Sequence, residues 1–302
     1  MKNMPIYVEI PIKASVDEVW EKSQNPVLHE QWDLRFSSIT YLPKKSEDEP
    51  QSFQYETKIG FGIKVSGWGK SIGTHNKGDG SKVSSLHFGT PQKISPISEG
   101  KGYWKYTPSN EGTTFLTQYD YEVRYGTFGR IADLFFRPLI GWATALSFDV
   151  LKRWVEKGEL PRVQYLRFFS NVLITLLFFF IWFYQGLVPK IIAKHPEEVA
   201  MLSSLSSMEM DLALKAVGVV GILEVLFGLT WLFYRNKRHL YLLQIIVFPT
   251  LTLSALLADP AISSHPFNPV TFNSSLWILS ILGFVLANDV PTATSCKRSK
   301  KE

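Results

Sequence analysis

The chain has 302 residues, a formal net charge of +5, 45% hydrophobic residues and one cysteine, Cys296. One cysteine excludes an intrachain disulfide and a cysteine-built metal site, and no metal is expected. The positive charge lies partly in short clusters beside apolar runs, which suits membrane orientation and argues against nucleic acid as a partner.

A mean hydropathy of +0.02 averages two unlike halves. Charges recur every few residues up to about Pro161, whereas four long apolar runs follow Arg167. MKNMPIYVEIPI has no apolar core of signal-peptide length, so residue 1 is expected to begin the mature protein.

The first predicted element is a strand over Ile6–Ile12. A helix then opens with a capping box, Ser15 and Glu18, and takes a fatty side from Val19 and Trp20. NPVLHEQWD, from Asn25, reads as a second short helix. Strand-like runs follow around 38–42, 52–63, 64–74, 82–88, 102–107 and 113–123, punctuated by turns such as KGDGS and SNEGT. In the last run Phe115, Thr117, Tyr119, Tyr121 and Val123 share one face, opposite Gln118, Asp120 and Glu122, as in a sheet with one covered side. A long helix over about 130–157 follows. Ile131, Leu134, Phe135, Leu139, Trp142, Leu146, Leu151 and Trp154 approximate its inner stripe, and Pro138 is expected to kink or divide it.

Strand, two short helices, a six-strand antiparallel meander and a long helix is the order of the helix-grip fold. The opening VEIPIKASVDEVWEKSQNPVLHEQWD resembles the START-like (SRPBCC, polyketide-cyclase-related) superfamily over about residues 1–160. That resemblance implies an apolar cavity between curved sheet and long helix, and a hydrophobic small molecule as ligand. Only some members are enzymes, so an enzymatic role stays open. Tyr55, Trp68, Trp104, Tyr119 and Trp142 are the cavity candidates, with simple core packing as the alternative reading. His29, His75 and His87 lack metal-ligand spacing, and Asp33 and Asp120 show no evident partner, so these are expected to be solvent-facing.

Four segments in the second half reach the length of about 20 apolar residues that a span needs: about 168–187, 212–234, 240–258 and 272–290. They are apolar nearly all round, which favours lipid over a soluble bundle. Lysines and arginines gather before the first span, in RNKRH between the second and third, and after the fourth at Lys297, Arg298, Lys300 and Lys301. The positive-inside rule then puts both termini and the first domain in the cytoplasm. YQGLVPKIIAKHPEE, GILEVLFGL and HPFNPVTFN resemble the DoxX-like membrane family over about Arg167 to Asp289. The positions carried over are Gly186, Pro189, Lys190, His195, Pro196, Glu224, His265, Pro266, Asn268, Pro269 and Asn273. Some relatives are associated with quinone-linked redox metabolism.

Lys190, Glu224, His265, Asn268 and Asn273 form the candidate polar site. Glu224 lies about midway along the second span, where an ionised side chain costs about 2.5–3.5 kcal/mol on insertion scales, so it should face the bundle interior. Lys190 is read first as an anchor snorkelling to the outer headgroups. The alternative is an outer-facing pocket of Lys190, His265 and Asn273, with Glu224 deeper. Turn and capping duties account equally well for HPFNP.

The expected architecture is therefore an α+β helix-grip domain (1–160), an all-α four-helix transmembrane bundle (161–290) and a basic cytoplasmic tail (291–302). The expected function is a binding protein that holds or passes a lipid, isoprenoid or quinone between the bilayer and a cytoplasmic cavity. The alternative is a quinone-linked membrane oxidoreductase or an accessory subunit with membrane-protein partners. No cofactor is assigned: there is no cysteine pair, and the glycines of KIGFGIKVSGWG read as bulge or bend glycines with no helix after them.

Overall fold

Ser15 and Asn25 start two short helices in succession. The Ser15 hydroxyl accepts from the Glu18 amide at 3.2 Å and begins α1 (Val16–Gln24), and the Asn25 side chain accepts from the Val27 amide to begin α2 (Pro26–Trp32). The computed structural model describes residues 4–300 apart from 45, 47, 48, 61 and 77. The strands are β1 (Ile6–Ile12), β2 (Ser38–Tyr41), β3 (Ser52–Gly60), β4 (Ile63–Asn76), β5 (Lys82–Gly89), β6 (Ile97–Ser109) and β7 (Gly112–Val123). They form one antiparallel sheet in the order β1-β7-β6-β5-β4-β3-β2, a meander from β2 to β7 that β1 closes by pairing with β7. Along β7 the odd positions Thr113 to Tyr121 are buried, as the strand alternation requires.

The long helix α3 (Gly126–Lys157) packs on β1 and β7. It is continuous through Pro138, so the expected division does not occur. With the sheet and the two short helices this is the helix-grip arrangement. The core is aromatic: Trp32, Tyr106, Phe115 and Phe148 are fully buried, and the Phe115 and Phe148 rings stack with centroids 4.4 Å apart.

Two compact units divide the chain, one of Met1–Tyr165 with Pro291–Glu302 and one of Leu166–Val290. The segment read as a tail is thus part of the first unit. Lys297 pairs with Glu9 of β1 through both backbone bonds, at 3.0 and 2.9 Å, and covers part of an edge strand. Thr292 donates its amide to Asp149, and Arg298 donates to the Pro138 carbonyl at 3.1 Å. Cys296 lies against α3, its thiol 3.3 Å from the Ala145 carbonyl, and burial pushes that thiol up to about 12. Lys301 lies outside the described residues.

The second unit is helical. The helices are α4 (Pro161–Gln185), which runs into a π-helical turn at Gly186–Ile192, then α5 (Pro196–Ser206), α6 (Met210–Phe233), α7 (Lys237–Ala258) and α8 (Pro269–Leu286). Among the described residues five helices are long and apolar enough to cross a membrane, α3 among them. In α3, however, Asp133, Thr144, Ser147 and Asp149 are buried and tied into the first unit, which makes it the grip helix. The remaining four are the bundle. Its centre is Phe178, Trp182, Trp231, Tyr241, Phe248 and Leu276.

Candidate functional site

A cavity of about 360 Å³ opens in the first unit, between the sheet, α3 and the segment after α2. On α3 its wall is Phe136, Leu139, Ile140 and Ala143, positions i, i+3, i+4 and i+7 that share one helical face. On the sheet its wall is aromatic, and four of the rings face a glycine across the ladder: Phe53 opposite Gly69, Tyr55 opposite Gly67, Phe88 opposite Gly100 and Tyr119 opposite Gly102. A Cβ at Gly69 would come within 2.2 Å of the Phe53 ring, and one at Gly100 within 2.4 Å of Phe88. The glycines let the rings lie down on the neighbouring strand, which leaves volume above them. Gly67 and Gly69 therefore seat rings in regular ladder positions rather than marking bends. Gly60 and Gly73 do adjoin register shifts.

Of the five cavity candidates, Tyr55, Trp104 and Tyr119 line the hollow. Trp68 does not: on β4 the inward positions are odd, Val65 and Ser71 among them, and Trp68 stands on the other face, 36% exposed, edge-on to His87 at 4.9 Å. Trp142 is also absent from the wall. Of the expected inner stripe, Leu146 and Leu151 are fully buried and Leu139 lines the cavity, whereas Ile131, Leu134 and Phe135 in the first half are 57–79% exposed. In the first half of α3 the inner face carries the charges Asp133 and Arg137, so hydrophobic periodicity selects the opposite face. The side chain that does point inward there is polar: Asp133 accepts from the Tyr121 hydroxyl at 2.5 Å and from Arg137 at 2.8 Å.

Asp33 and His29 are likewise not solvent-facing. Asp33 has no side-chain exposure and is held bidentately by Arg35, Nε to Oδ1 at 2.9 Å and Nη2 to Oδ2 at 2.6 Å. His29 Nε2 lies 3.1 Å from Oδ2 of the same carboxylate. Burial alone opposes ionisation of Asp33, but the charge and hydrogen bonds of Arg35 outweigh it and hold the carboxyl well below the usual carboxylate range. For His29 burial prevails over Asp33 and keeps the imidazole below its ordinary value, hence neutral at pH 7. Asp120 too has a partner, Arg137 at 2.7 Å. Arg35 was not singled out in the sequence. The available signal was HEQWDLR, which puts His and Asp on one helical face at i, i+4 and an arginine two residues on.

In the second unit Lys190 and Glu224 meet directly, Nζ to Oε2 at 3.0 Å, with side chains only 11% and 14% exposed. At that distance the ammonium and the carboxylate are in direct charge contact. Glu198 of α5 lies 3.5 Å from the same ammonium. The contact is possible because two backbones nearly touch. A Cβ on Gly186 would fall 2.4 Å from the Gly221 carbonyl, and one on Gly221 would fall 2.9 Å from the Lys190 Cβ. The π-helical turn carries Lys190 onto α6 at that point. The anchor reading of Lys190 is thus replaced by a buried ion pair. Asn268 instead caps α8, its side chain accepting from the Thr271 amide at 3.0 Å and donating to the His265 carbonyl. His265 is exposed and ends a short 3₁₀ turn, and Asn273 is half-buried on the first turns of α8. Among the described residues no hydrogen bond or ion pair joins these three to Lys190 or Glu224.

Residues 179–281, which include both Lys190 and Glu224, match the DoxX-like family. The chain is also 50% identical over 188 residues to the uncharacterized membrane protein YndG of Bacillus subtilis (strain 168), covering 62% of this chain and 70% of that protein. The chain belongs to the family of YndG. Its second unit is a DoxX-like membrane domain. Among solved structures, the first half is similar to a STAR-related lipid transfer protein fragment from Xanthomonas axonopodis, with 16% identity, a TM-score of 0.39, and coverage of 50% of this chain and 85% of that one. It is also similar to the Zhui aromatase/cyclase from Streptomyces sp. R1128, with 10% identity, a TM-score of 0.38, and coverage of 51% and 96%. At such identities and scores neither protein's ligand or reaction is carried over to this chain.

Proposed function

We propose that the first unit is a container for an apolar small molecule of lipid, isoprenoid or quinone size, held at the membrane by its DoxX-like unit. The observation that carries this reading is the cavity of about 360 Å³ walled by aromatic side chains seated on glycines. Its volume is at the low end of the range for small-molecule sites, about 300–1,000 Å³, and such sites are mostly apolar with a few placed polar groups. Attachment to four apolar helices keeps the cavity within reach of the bilayer, where a greasy ligand dissolves. The lysine and arginine clusters beside the spans support a cytoplasmic cavity and cytoplasmic termini. A reporter active only in the cytoplasm, inserted near Ser204, should then be silent; activity there would contradict the four-span topology.

The function itself is tested by purifying the full chain in mild detergent and identifying co-purified small molecules by mass spectrometry. An apolar compound present in the wild type and depleted in Phe88→Asp, which places a charge in the wall, is the expected result. Identical extracts from both proteins would contradict the reading.

A further inference from the structure

Arg35 is the cationic side chain on the wall of a mostly apolar cavity, and it is held rather than free. Asp33, with no exposed side-chain surface, sits behind it and occupies Nε and Nη2. The 17% exposure that the Arg35 side chain keeps opens onto the hollow. The Tyr119 oxygen is a further hydrogen-bond partner of the guanidinium; with five N–H groups, of which Asp33 takes two and Tyr119 one, Arg35 keeps N–H capacity on the side of the hollow. The guanidinium also lies beside Tyr119, its carbon 5.4 Å from the ring centroid.

Proton directions around Tyr119 are set by its neighbour. The Thr144 hydroxyl donates to the Ile140 carbonyl at 2.9 Å, so in its 2.9 Å contact with Tyr119 it accepts. The Tyr119 proton is therefore committed to Thr144 and is not offered to a ligand. What this pole of the cavity presents is an N–H donor on a guanidinium.

Charge decides what that donor can receive. Asp33 is ionised, Arg35 is cationic and His29 is neutral, so the cluster sums to zero before any ligand enters. A carboxylate or phosphate would add a net negative charge to a pole already neutralised, in surroundings built by Leu34, Phe36, Phe88 and Trp104. A pure hydrocarbon would cover the remaining N–H groups of Arg35 without giving them an acceptor.

We propose that the cavity takes an apolar molecule with an uncharged acceptor oxygen, a carbonyl or a hydroxyl, which the remaining N–H groups of Arg35 receive. Asp33 is the positioning residue that fixes the guanidinium fork. This inference rests on the container reading and narrows its ligand class.

Three probes with one carbon skeleton separate the cases: naphthalene, 2-acetylnaphthalene and 2-naphthoate. Each is titrated by equilibrium dialysis against the full chain in lipid nanodiscs, with empty discs subtracted. 2-Acetylnaphthalene should bind about tenfold or more tighter than naphthalene, as a hydrogen bond from a charged donor warrants, and 2-naphthoate should bind more weakly than the ketone. In Arg35→Gln the ketone advantage should fall to about twofold or less while naphthalene binding persists, which also shows that the variant is folded. Should Arg35→Gln lose naphthalene as well, the double change Asp33→Asn with Arg35→Met, which removes the donor and its buried counter-charge together, replaces it with the same expectation. Equal wild-type affinity for ketone and hydrocarbon, or a preference for 2-naphthoate, overturns the proposal and leaves the container intact. No saturable binding of any probe overturns the container itself.

Discussion

Each unit buries an ion pair, and the two pairs are made by different means. Asp33 and Arg35 are two residues apart in the chain, joined by two side-chain hydrogen bonds and one from the Arg35 amide, and braced by His29. Lys190 and Glu224 are 34 positions apart, meet through a single 3.0 Å contact, and depend on Gly186 and Gly221 for their approach. Glycine serves opposite ends in the two settings. In the sheet it lets rings lie flat and holds a hollow open; between helices it lets two backbones come into contact. Arg35 of the first pair stands on a cavity wall, whereas the second pair joins two helices.

The largest expected effect falls on the tighter pair. Asp33→Asn leaves a buried guanidinium without its counter-charge, and breaking a buried pair from one side costs about 3–5 kcal/mol. Thermal unfolding of the detergent-solubilised chain, followed by tryptophan fluorescence, should show a clear fall in midpoint. The double change Asp33→Asn with Arg35→Met should recover much of it; a double variant as damaged as the sum would show that the pair is not the cause.

For the looser pair the comparison is one of coupling. Glu224→Gln and Lys190→Met should each destabilise, and the double variant should depart from additivity by about 0.5–3 kcal/mol, as for side chains in contact. Strict additivity in detergent, with and without added lipid, would mean that the contact carries no energy.

Two smaller effects follow. His29 is neutral when folded, while in the unfolded chain its value is near 6.5. Below that pH the unfolded state takes up a proton that the folded state does not, so stability should fall as pH drops from about 7 to about 5. His29→Gln should flatten the profile in that window; an unchanged slope would assign it to other groups. In the second unit, Asn268→Ala removes a helix cap and should cost about 1 kcal/mol, with no effect on the Lys190–Glu224 coupling.

The order of elements was legible because local chemistry specifies it. Ser15 and Asn25 announce helix starts, β7 alternates cleanly, and the four spans stand out by length and apolarity. What remained hidden depends on which face or which distant neighbour a residue meets. Asp33 and Asp120 had no visible partner because Arg35 lies past the helix end and Arg137 lies on a helix that reaches β7 only in the fold. Trp142 drew attention by size, yet the wall runs through the smaller Ala143 beside it. Lys190 read as an anchor because about ten residues of helix, or roughly 15 Å at 1.5 Å per residue, separate Glu224 from either end of its span. The π-helical turn and the paired glycines close that gap, and neither has a periodic signature.

The central claim is that the space between the sheet and α3 accepts an apolar molecule. Titration of the full chain in nanodiscs with an environment-sensitive apolar dye, for the wild type, Ala143→Trp and Trp68→Ala, tests it most directly. Ala143→Trp fills the cavity from α3, whereas Trp68→Ala alters only the outer face of β4. The account predicts a saturable dye site in the wild type and in Trp68→Ala, and its loss in Ala143→Trp; full dye binding in Ala143→Trp would contradict it.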